Sequence, residues 1–140
     1  MIVKYFDLKK EIKKNNNFYL LYGPNTGLIE ETINNILKPN FSKNLYYHDE
    51  KEILANEEEF KEEILNKSFF ENEKLIIISR STDKILKIIE EIIEKKIEDL
   101  AIILISGTLE KKSKLRNFFE KNKHTICVPF FEDNERSLNL

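Results

Sequence analysis

Two continuous apolar runs constrain the fold of this chain more than any other feature of its sequence. Residues 74–79 read KLIIIS and residues 100–106 read LAIILIS. A strand with one face in water alternates apolar and polar residues, whereas a strand covered by helices on both faces is apolar throughout. The two runs therefore predict central strands of a mainly parallel sheet.

The rest of the chain supplies three more strands and the helices that parallel pairing requires. Strands are predicted at residues 18–22, 45–48, 74–79, 100–106 and 125–130. Helices are predicted from Ile29 to a stop at Pro39, from an N-cap at Asn56 to about Asn66, from a cap at Asp83 to Ile93, and around Leu115 to Phe119. This alternation, with short connections, predicts a doubly wound α/β domain.

The composition is that of one globular domain. Hydrophobic residues make up 41% of the chain and charged residues 34%, with no apolar run near the roughly 20 residues of a membrane span and no secretory signal. We therefore expect a cytoplasmic protein without a membrane partner. The net charge of −2 argues against a domain whose main task is to coat nucleic acid. The single cysteine, Cys127, is expected to be a buried packing residue.

The segment from Phe18 to Glu31 has the layout of a nucleotide-binding βα unit: an apolar strand, a glycine loop and an amphipathic helix. The loop residues are Gly23, Pro24, Asn25 and Gly27. A phosphate-binding loop needs a lysine for the phosphates and a Ser or Thr for magnesium, and both are missing here. Nor does an acid follow strand 74–79, where Arg80 stands. The sequence predicts a degenerate loop that binds no nucleotide cofactor, with an ATP-binding P-loop subunit as the alternative.

Other chemistry is poorly supported. Ser106 and Thr108 flank Gly107 at the end of a strand, but the two histidines, His48 and His124, lie in other segments. We predict no catalytic residue, no metal site and no small-molecule substrate.

The basic run Lys111, Lys112, Lys114 and Arg116 allows two interpretations. It can be the solvated face of a helix that buries Leu115, or the contact surface of a nucleic-acid-binding module. The second interpretation is kept as an alternative function.

The adjacent aromatics Phe69 and Phe70 also allow two interpretations. They are expected in a polar-flanked connection after the helix that ends near Asn66. There they can fold back on the core, or form an exposed hydrophobic plug that enters a partner's pocket.

Four blocks of sequence carry a resemblance to a known family: YLLYGPNTGLIEE, SFFENEKLIII, SGTLEKKSKLRNFFEK and VPFFEDNERSL. Together they resemble the N-terminal domain of the delta subunit of the bacterial DNA polymerase III clamp loader. The resemblance implies a RecA-like domain of the AAA+ type, here residues 1–134, that has lost nucleotide binding. Residues 135–140 would then begin a following helical domain.

The resemblance also implies a role and partners. In family members, a hydrophobic pair after a serine inserts into a pocket of the sliding clamp, and Ser68, Phe69 and Phe70 match that position. The family often has Leu-Phe, so Phe69 departs in size and shape but not in polarity. The implied partners are the beta sliding clamp, the gamma/tau and delta prime subunits, and DNA within the assembled complex. The implied role is to help open the clamp in the bacterial cytoplasm, as a non-catalytic component of the polymerase III holoenzyme.

Overall fold

The computed structural model describes residues 1–12, 17–41, 44–70 and 73–131, and for residues 65–70 it describes the backbone alone. Its centre is one five-stranded sheet in which all neighbours pair in parallel, in the order β2-β3-β4-β1-β5. The strands are β1 Phe18–Tyr22, β2 Leu45–Asp49, β3 Lys74–Ser79, β4 Leu100–Ser106 and β5 Thr125–Pro129. The predicted parallel α/β fold is confirmed, and it is consistent with a RecA-like domain.

The apolar runs lie where the sequence places them. β3 and β4 form the middle of the sheet, and every residue from Leu75 to Ile78 and from Leu100 to Leu104 is buried. β1 lies between β4 and β5, with Leu20 in register with Leu104 on one side and Cys127 on the other. Burial on both faces explains why these strands lack alternation.

Six helices connect or precede the strands in the described part of the chain. They are α1 Leu8–Ile12, α2 Thr26–Thr32, α3 Glu50–Ala55, α4 Glu57–Phe70, α5 Leu86–Glu94 and α6 Lys114–Lys121. Short 3-10 turns precede α1 and α5, at Tyr5–Asp7 and Asp83–Ile85.

Of two predicted helix ends, one differs by a single residue and the other is wrong. The helix predicted to stop at Pro39 continues beyond α2 as a π turn, Ile33–Leu37, and a 3-10 turn, Lys38–Asn40, and so ends one residue after the proline. Proline is tolerated there because the first positions of a turn need no backbone donor. The helix that was expected to end near Asn66 is α4, which runs to Phe70.

The helices cover both faces of the sheet. α1 and α2 bury Leu8 and Ile29 against one face, together with Ile33 of the π turn and Tyr19 of β1. The other four helices and the 3-10 turn before α5 cover the opposite face with a set of buried side chains: Ile53, Phe60, Ile64, Ile85, Ile88, Ile89, Ile92, Leu115 and Phe119.

This arrangement creates a switch point in the sheet. β1 and β4 are neighbours, yet the helix after β1 packs on one face and the helix after β4 packs on the other. In open α/β sheets, a crevice forms at the carboxyl ends of two such strands, and ligands commonly bind there. The loops that begin at Gly23 and Gly107 flank this crevice.

Candidate functional site

The loop after β1 is tied to the strands on both sides of it. The Gly23 N–H donates a hydrogen bond to the Gly107 carbonyl at 3.0 Å, and the Phe130 N–H donates to the Tyr22 carbonyl at 2.8 Å. Gly23 has a φ of 133°, and a Cβ placed on it would lie 1.9 Å from the Phe130 carbonyl oxygen. Glycine is therefore required for both the backbone conformation and the close approach of Phe130.

The amides around the start of α2 also donate to protein acceptors. The Asn25 side chain caps the helix by accepting from the Leu28 N–H at 3.2 Å. The Thr26 N–H donates to the Pro24 carbonyl at 2.9 Å. In a phosphate-binding loop, such amides point at the phosphate oxygens. Here the Gly23, Thr26 and Leu28 amides hold the loop to its own neighbours.

Two carboxylates that were not predicted as site residues, Asp49 at the end of β2 and Glu50 directly after it, lie at the same edge of the sheet. Glu50 is buried and accepts from the Thr82 N–H at 2.7 Å and from the Thr82 hydroxyl at 2.8 Å. Asp49 accepts from the Lys51 N–H at 3.0 Å and from the Arg80 guanidinium. The Lys51 and Arg80 hydrogen bonds lower the pKa of Asp49. The sequence feature that could have indicated Asp49 and Glu50 is their position directly after the predicted strand 45–48.

These carboxylates bind the connection after β3 to the end of β2. Within the ranges that the structure describes, no group of three or more His, Cys, Asp or Glu residues is arranged to hold a metal ion. The described residues likewise include no helix long and apolar enough to cross a membrane.

Asp83 does not cap its own helix, contrary to the prediction. The Thr82 side chain takes that place, accepting from the Lys84 N–H at 3.2 Å. The Asp83 carboxylate instead accepts from the Ser113 hydroxyl at 2.6 Å and from the Leu115 N–H at 3.1 Å. These bonds lower the pKa of Asp83, the Ser113 hydroxyl contributing most. Asp83 thus joins the connection after β3 to the start of α6.

The basic run divides into two parts. Lys111, Lys112 and Lys114 are exposed. Arg116 turns inward: it donates to the Leu109 carbonyl at 2.9 Å and to Glu120 at 3.0 Å, and its guanidinium lies 5.2 Å from the centre of the Tyr22 ring. Arg116 is therefore a packing residue of α6, and the three lysines form the charged surface.

The other residues considered for chemistry have structural contacts. The Ser106 hydroxyl is buried and donates to the Ser81 carbonyl at 2.7 Å, whereas Thr108 is exposed. His48 in β2 lies edge-on to the Phe60 ring at 5.2 Å, and His124 precedes β5 at the opposite end of the strand order. The structure does not bring the two histidines together.

Cys127 lies in β5 and is fully buried, as predicted. Burial raises the pKa of its thiol to about 12, which leaves it uncharged near neutral pH. Its role in the fold is packing against β1.

Ser68, Phe69 and Phe70 belong to the last turn of α4 and not to the connection that the sequence predicted, because the helix ends four residues after Asn66. Their side chains lie outside what the structure describes. Because α4 leads from the carboxyl end of β2 back to the first residue of β3, its last turn lies at the amino edge of the sheet. The loop at Gly23 lies at the carboxyl edge. The two candidate sites therefore occupy opposite edges of the sheet.

Comparison with known proteins identifies the family. A family model described as DNA polymerase III, delta subunit, matches residues 19–131, which include β2 to β5, α2 to α6 and all of β1 except its first residue. A search of curated proteins gave no match. The family match covers most of the chain, and the parallel α/β fold agrees with it. This chain therefore belongs to the DNA polymerase III delta subunit family, whose members are components of the clamp loader.

Proposed function

We propose that this chain binds the beta sliding clamp through the end of α4 and helps to hold the ring open, without hydrolysing ATP. The observation that carries the proposal is the position of Ser68, Phe69 and Phe70 in the last turn of α4, within the family match. A short apolar pair at a helix end can enter a partner's pocket and supply much of the binding energy. We also propose that the protein acts in the bacterial cytoplasm, where chromosome replication takes place.

The contacts of α4 indicate that the helix can hold its last turn rigidly. Phe60 and Ile64 are buried in the core, and the Lys61 ammonium lies 2.5 Å from the Glu91 carboxylate of α5. The hydrogen bond between them raises the pKa of Lys61 and lowers that of Glu91, so both stay charged. At 1.5 Å per residue, Phe70 follows Ile64 by about 9 Å along the helix. These contacts fix the first half of the helix on the core, and the last turn extends from that fixed part.

Ring opening follows from differential binding. A clamp ring that is closed at rest shifts towards an open form only if the partner binds the open form more tightly, because equal affinity for both forms shifts nothing. A rigid α4 suits this task, because this chain then does not adapt its own shape to the closed ring. We propose that the anchor at Phe69 and Phe70 and the exposed side of α4 together favour the open form.

The residues at the carboxyl edge of the sheet support the proposal that this chain does not hydrolyse ATP. Leu28 stands directly after Gly27, where a phosphate-binding loop has its lysine. The loop amides of Gly23, Thr26 and Leu28 donate within the protein, and Arg80 follows β3 where a magnesium-binding acid would be needed. We propose that the gamma/tau and delta prime subunits complete the complex and that ATP is hydrolysed elsewhere within it.

A second candidate function, nucleic-acid binding, is favoured by one surface. Lys84, Lys112 and Lys114 line a groove of about 470 Å³ beside Thr82 and Thr108. Three lysines around one groove suit contacts to a phosphate backbone, although Asp83 and Glu110 line the same groove. Because this groove lies at the carboxyl edge, DNA and the clamp could contact the domain together.

Ring opening can be tested with fluorophores on the two sides of one interface of the beta clamp. Adding the chain without nucleotide should separate the pair, and adding ATP with magnesium should change nothing further. No separation, or separation that requires ATP, would contradict the proposal.

Calorimetric titration of the chain with ATP and magnesium should show no binding at millimolar ligand. The same titration with duplex DNA tests the second candidate function, nucleic-acid binding.

A further inference from the structure

The two edge strands of the sheet differ in how their outer sides are covered. The outer side of β5 is paired, because Ile2 bridges to Cys127 and the Val3 N–H donates to the Cys127 carbonyl at 2.9 Å. Within the described part of the chain, β2 pairs with β3 alone. An edge that no segment covers presents a row of backbone donors and acceptors to any further strand.

The register of β2 identifies the backbone groups on its outer side. The Leu75 N–H of β3 donates to the Asn44 carbonyl at 2.9 Å. In a parallel ladder, every second residue of a strand bonds to the same neighbour, so Tyr46 and His48 also bond to β3. The N–H and carbonyl groups of Tyr47, which stands between them, therefore point away from β3. They lie where an added strand would exchange backbone hydrogen bonds.

β2 lacks most of the features that keep edge strands from pairing. Such strands commonly carry a lysine, a proline or a bulge. β2 reads LYYHD, and its five residues pair with consecutive residues of β3 without a bulge. Tyr47 is exposed on one face of the strand, and His48 lies on the other face, against Phe60 of α4. Apart from its short length, nothing in β2 itself opposes a further strand.

An acidic groove beside this edge determines which segment fits. It has a volume of about 160 Å³ and lies between β2, α3 and the first half of α4. The residues that line it are His48, Glu52, Ile53, Asn56, Glu59, Phe60 and Glu63. Three of these described residues are glutamates, and none is a lysine or an arginine.

The groove lies on the face of the sheet that His48 faces. Side chains alternate between the two faces of a strand, so a residue placed opposite His48 on an added strand points towards the groove. A lysine or arginine suits this place, because its aliphatic stem can pack on the Phe60 ring while its charge lies near the glutamates.

We propose that the outer edge of β2 binds an extended segment of another protein that carries a lysine or arginine, and that this segment adds a strand to the five-stranded sheet. The backbone groups of Tyr47 supply affinity, and the acidic groove supplies selectivity. The site is separate from the end of α4, since Phe70 follows Phe60 by about 15 Å along the helix.

The charge of the groove argues against a second copy of this chain as the added strand. Antiparallel pairing of β2 with β2 about a two-fold axis places both grooves on the same face of the joined sheet. The glutamates of the two copies would then approach each other, and like charges repel. A basic segment meets the opposite condition.

Peptides test the added strand without changing the protein. The first probe is a fluorescent peptide of alternating lysine and threonine, about eight residues long, which is enough to span β2. Two further versions are N-methylated, one at every threonine amide and one at every lysine amide, so that each lacks the N–H donors of a different edge. Fluorescence anisotropy with the 140-residue chain gives each Kd.

One methylated peptide should bind like the unmodified peptide, and the other at least about tenfold more weakly, because only one edge of the peptide pairs with β2. Equal affinities of the two methylated peptides would overturn the proposal. No binding of the unmodified peptide at about 1 mM would also overturn it.

A substitution in β2 tests the same contact from the protein side. Tyr47→Pro removes an outward N–H and places a ring in the path of the added strand, so it should weaken binding of the unmodified peptide at least about 30-fold. Proline is tolerated in an edge strand when its nitrogen faces solvent. Tyr47→Ala is the control and should stay within about fivefold, because it keeps the N–H. Equal affinities of the two variants would overturn the proposal.

The acidic groove is tested by a pair of double variants with the same change in charge. Glu52→Gln with Glu59→Gln should weaken peptide binding at least about fivefold, whereas Glu57→Gln with Glu62→Gln, on the exposed side of α4, should stay within about twofold. Equal losses in the two double variants would overturn the choice of a basic segment. Sedimentation that shows a dimer of the chain, lost in Tyr47→Pro, would overturn it in favour of pairing between copies.

Discussion

The carboxylate of Asp83 accepts a hydrogen bond of 2.6 Å from the hydroxyl of Ser113, thirty residues later in the chain. Ser113 is itself the N-cap of α6, because its oxygen accepts from the Arg116 N–H at 3.2 Å. Two side chains from different connections thus cap one helix. The contact ties the region after β3 to the region after β4, on the side of the sheet where α5 and α6 pack.

Replacing Asp83 tests this contact. Asp83→Asn keeps the shape but removes the charge at the positive end of α6, and it should lower the free energy of unfolding by about 1 kcal/mol. Water screens part of this effect, since Asp83 is largely exposed. Urea unfolding measures the change. Glu110→Gln, a nearby exposed acid, is the matched control and should stay within about 0.5 kcal/mol of the wild type.

The same variant has a pH signature. The folded-state pKa of Asp83 lies below its ordinary value of 3.8, so its stabilising effect is complete above that value and is lost as the pH falls through the lower, folded-state pKa. The stability difference between wild type and Asp83→Asn should therefore narrow between about pH 5 and pH 2. A constant difference across that range would contradict a role for the charge.

Gly23→Ala tests the packing of the loop after β1. The new Cβ would lie 1.9 Å from the Phe130 carbonyl oxygen in a backbone conformation that side chains rarely adopt, so we expect a loss of about 3 kcal/mol or more. Gly27→Ala is the control, because nothing lies within 4 Å of its Cβ position and alanine favours helix. Thermal unfolding should rank Gly27→Ala at or above the wild type, and equal loss in both variants would contradict this reading.

The basic run gives a prediction about DNA. If the chain binds duplex DNA, the three exposed lysines should carry the affinity, so that changing Lys111, Lys112 and Lys114 to alanine reduces the salt slope of binding by about 2 to 3. Arg116→Lys should leave DNA binding unchanged and lower stability by about 1 to 2 kcal/mol, because it loses its bonds to Leu109 and Glu120. Weaker DNA binding with unchanged stability in Arg116→Lys would show that Arg116 turns outward.

Buried strands could be predicted from the sequence because short, continuous apolar runs are typical of strands that are covered on both faces. β1, β3 and β4 begin and end at the predicted residues. The short helices α1 and α3 were missed, since five or six residues show too little periodicity to separate a helix from a loop.

Contacts between distant residues could not be predicted from the sequence. Asp83 was assigned to its own helix because capping is a local rule, and its real partners, Ser113 and Leu115, belong to another helix. Arg116 looked like a member of a charged face, and only the packing of α6 on Tyr22 shows where it turns.

The central proposal is the anchor at the end of α4, and clamp affinity tests it most directly. The chain with Phe69→Ala and Phe70→Ala should bind the beta clamp at least about 30-fold more weakly, since two anchors contribute on the order of 2 kcal/mol or more. The matched control is Phe6→Ala with Phe131→Ala, which removes two phenylalanines that are exposed elsewhere and should leave affinity unchanged. Circular dichroism should show both variants folded. An affinity within a factor of three of the wild type for the folded Phe69/Phe70 variant would contradict the proposal.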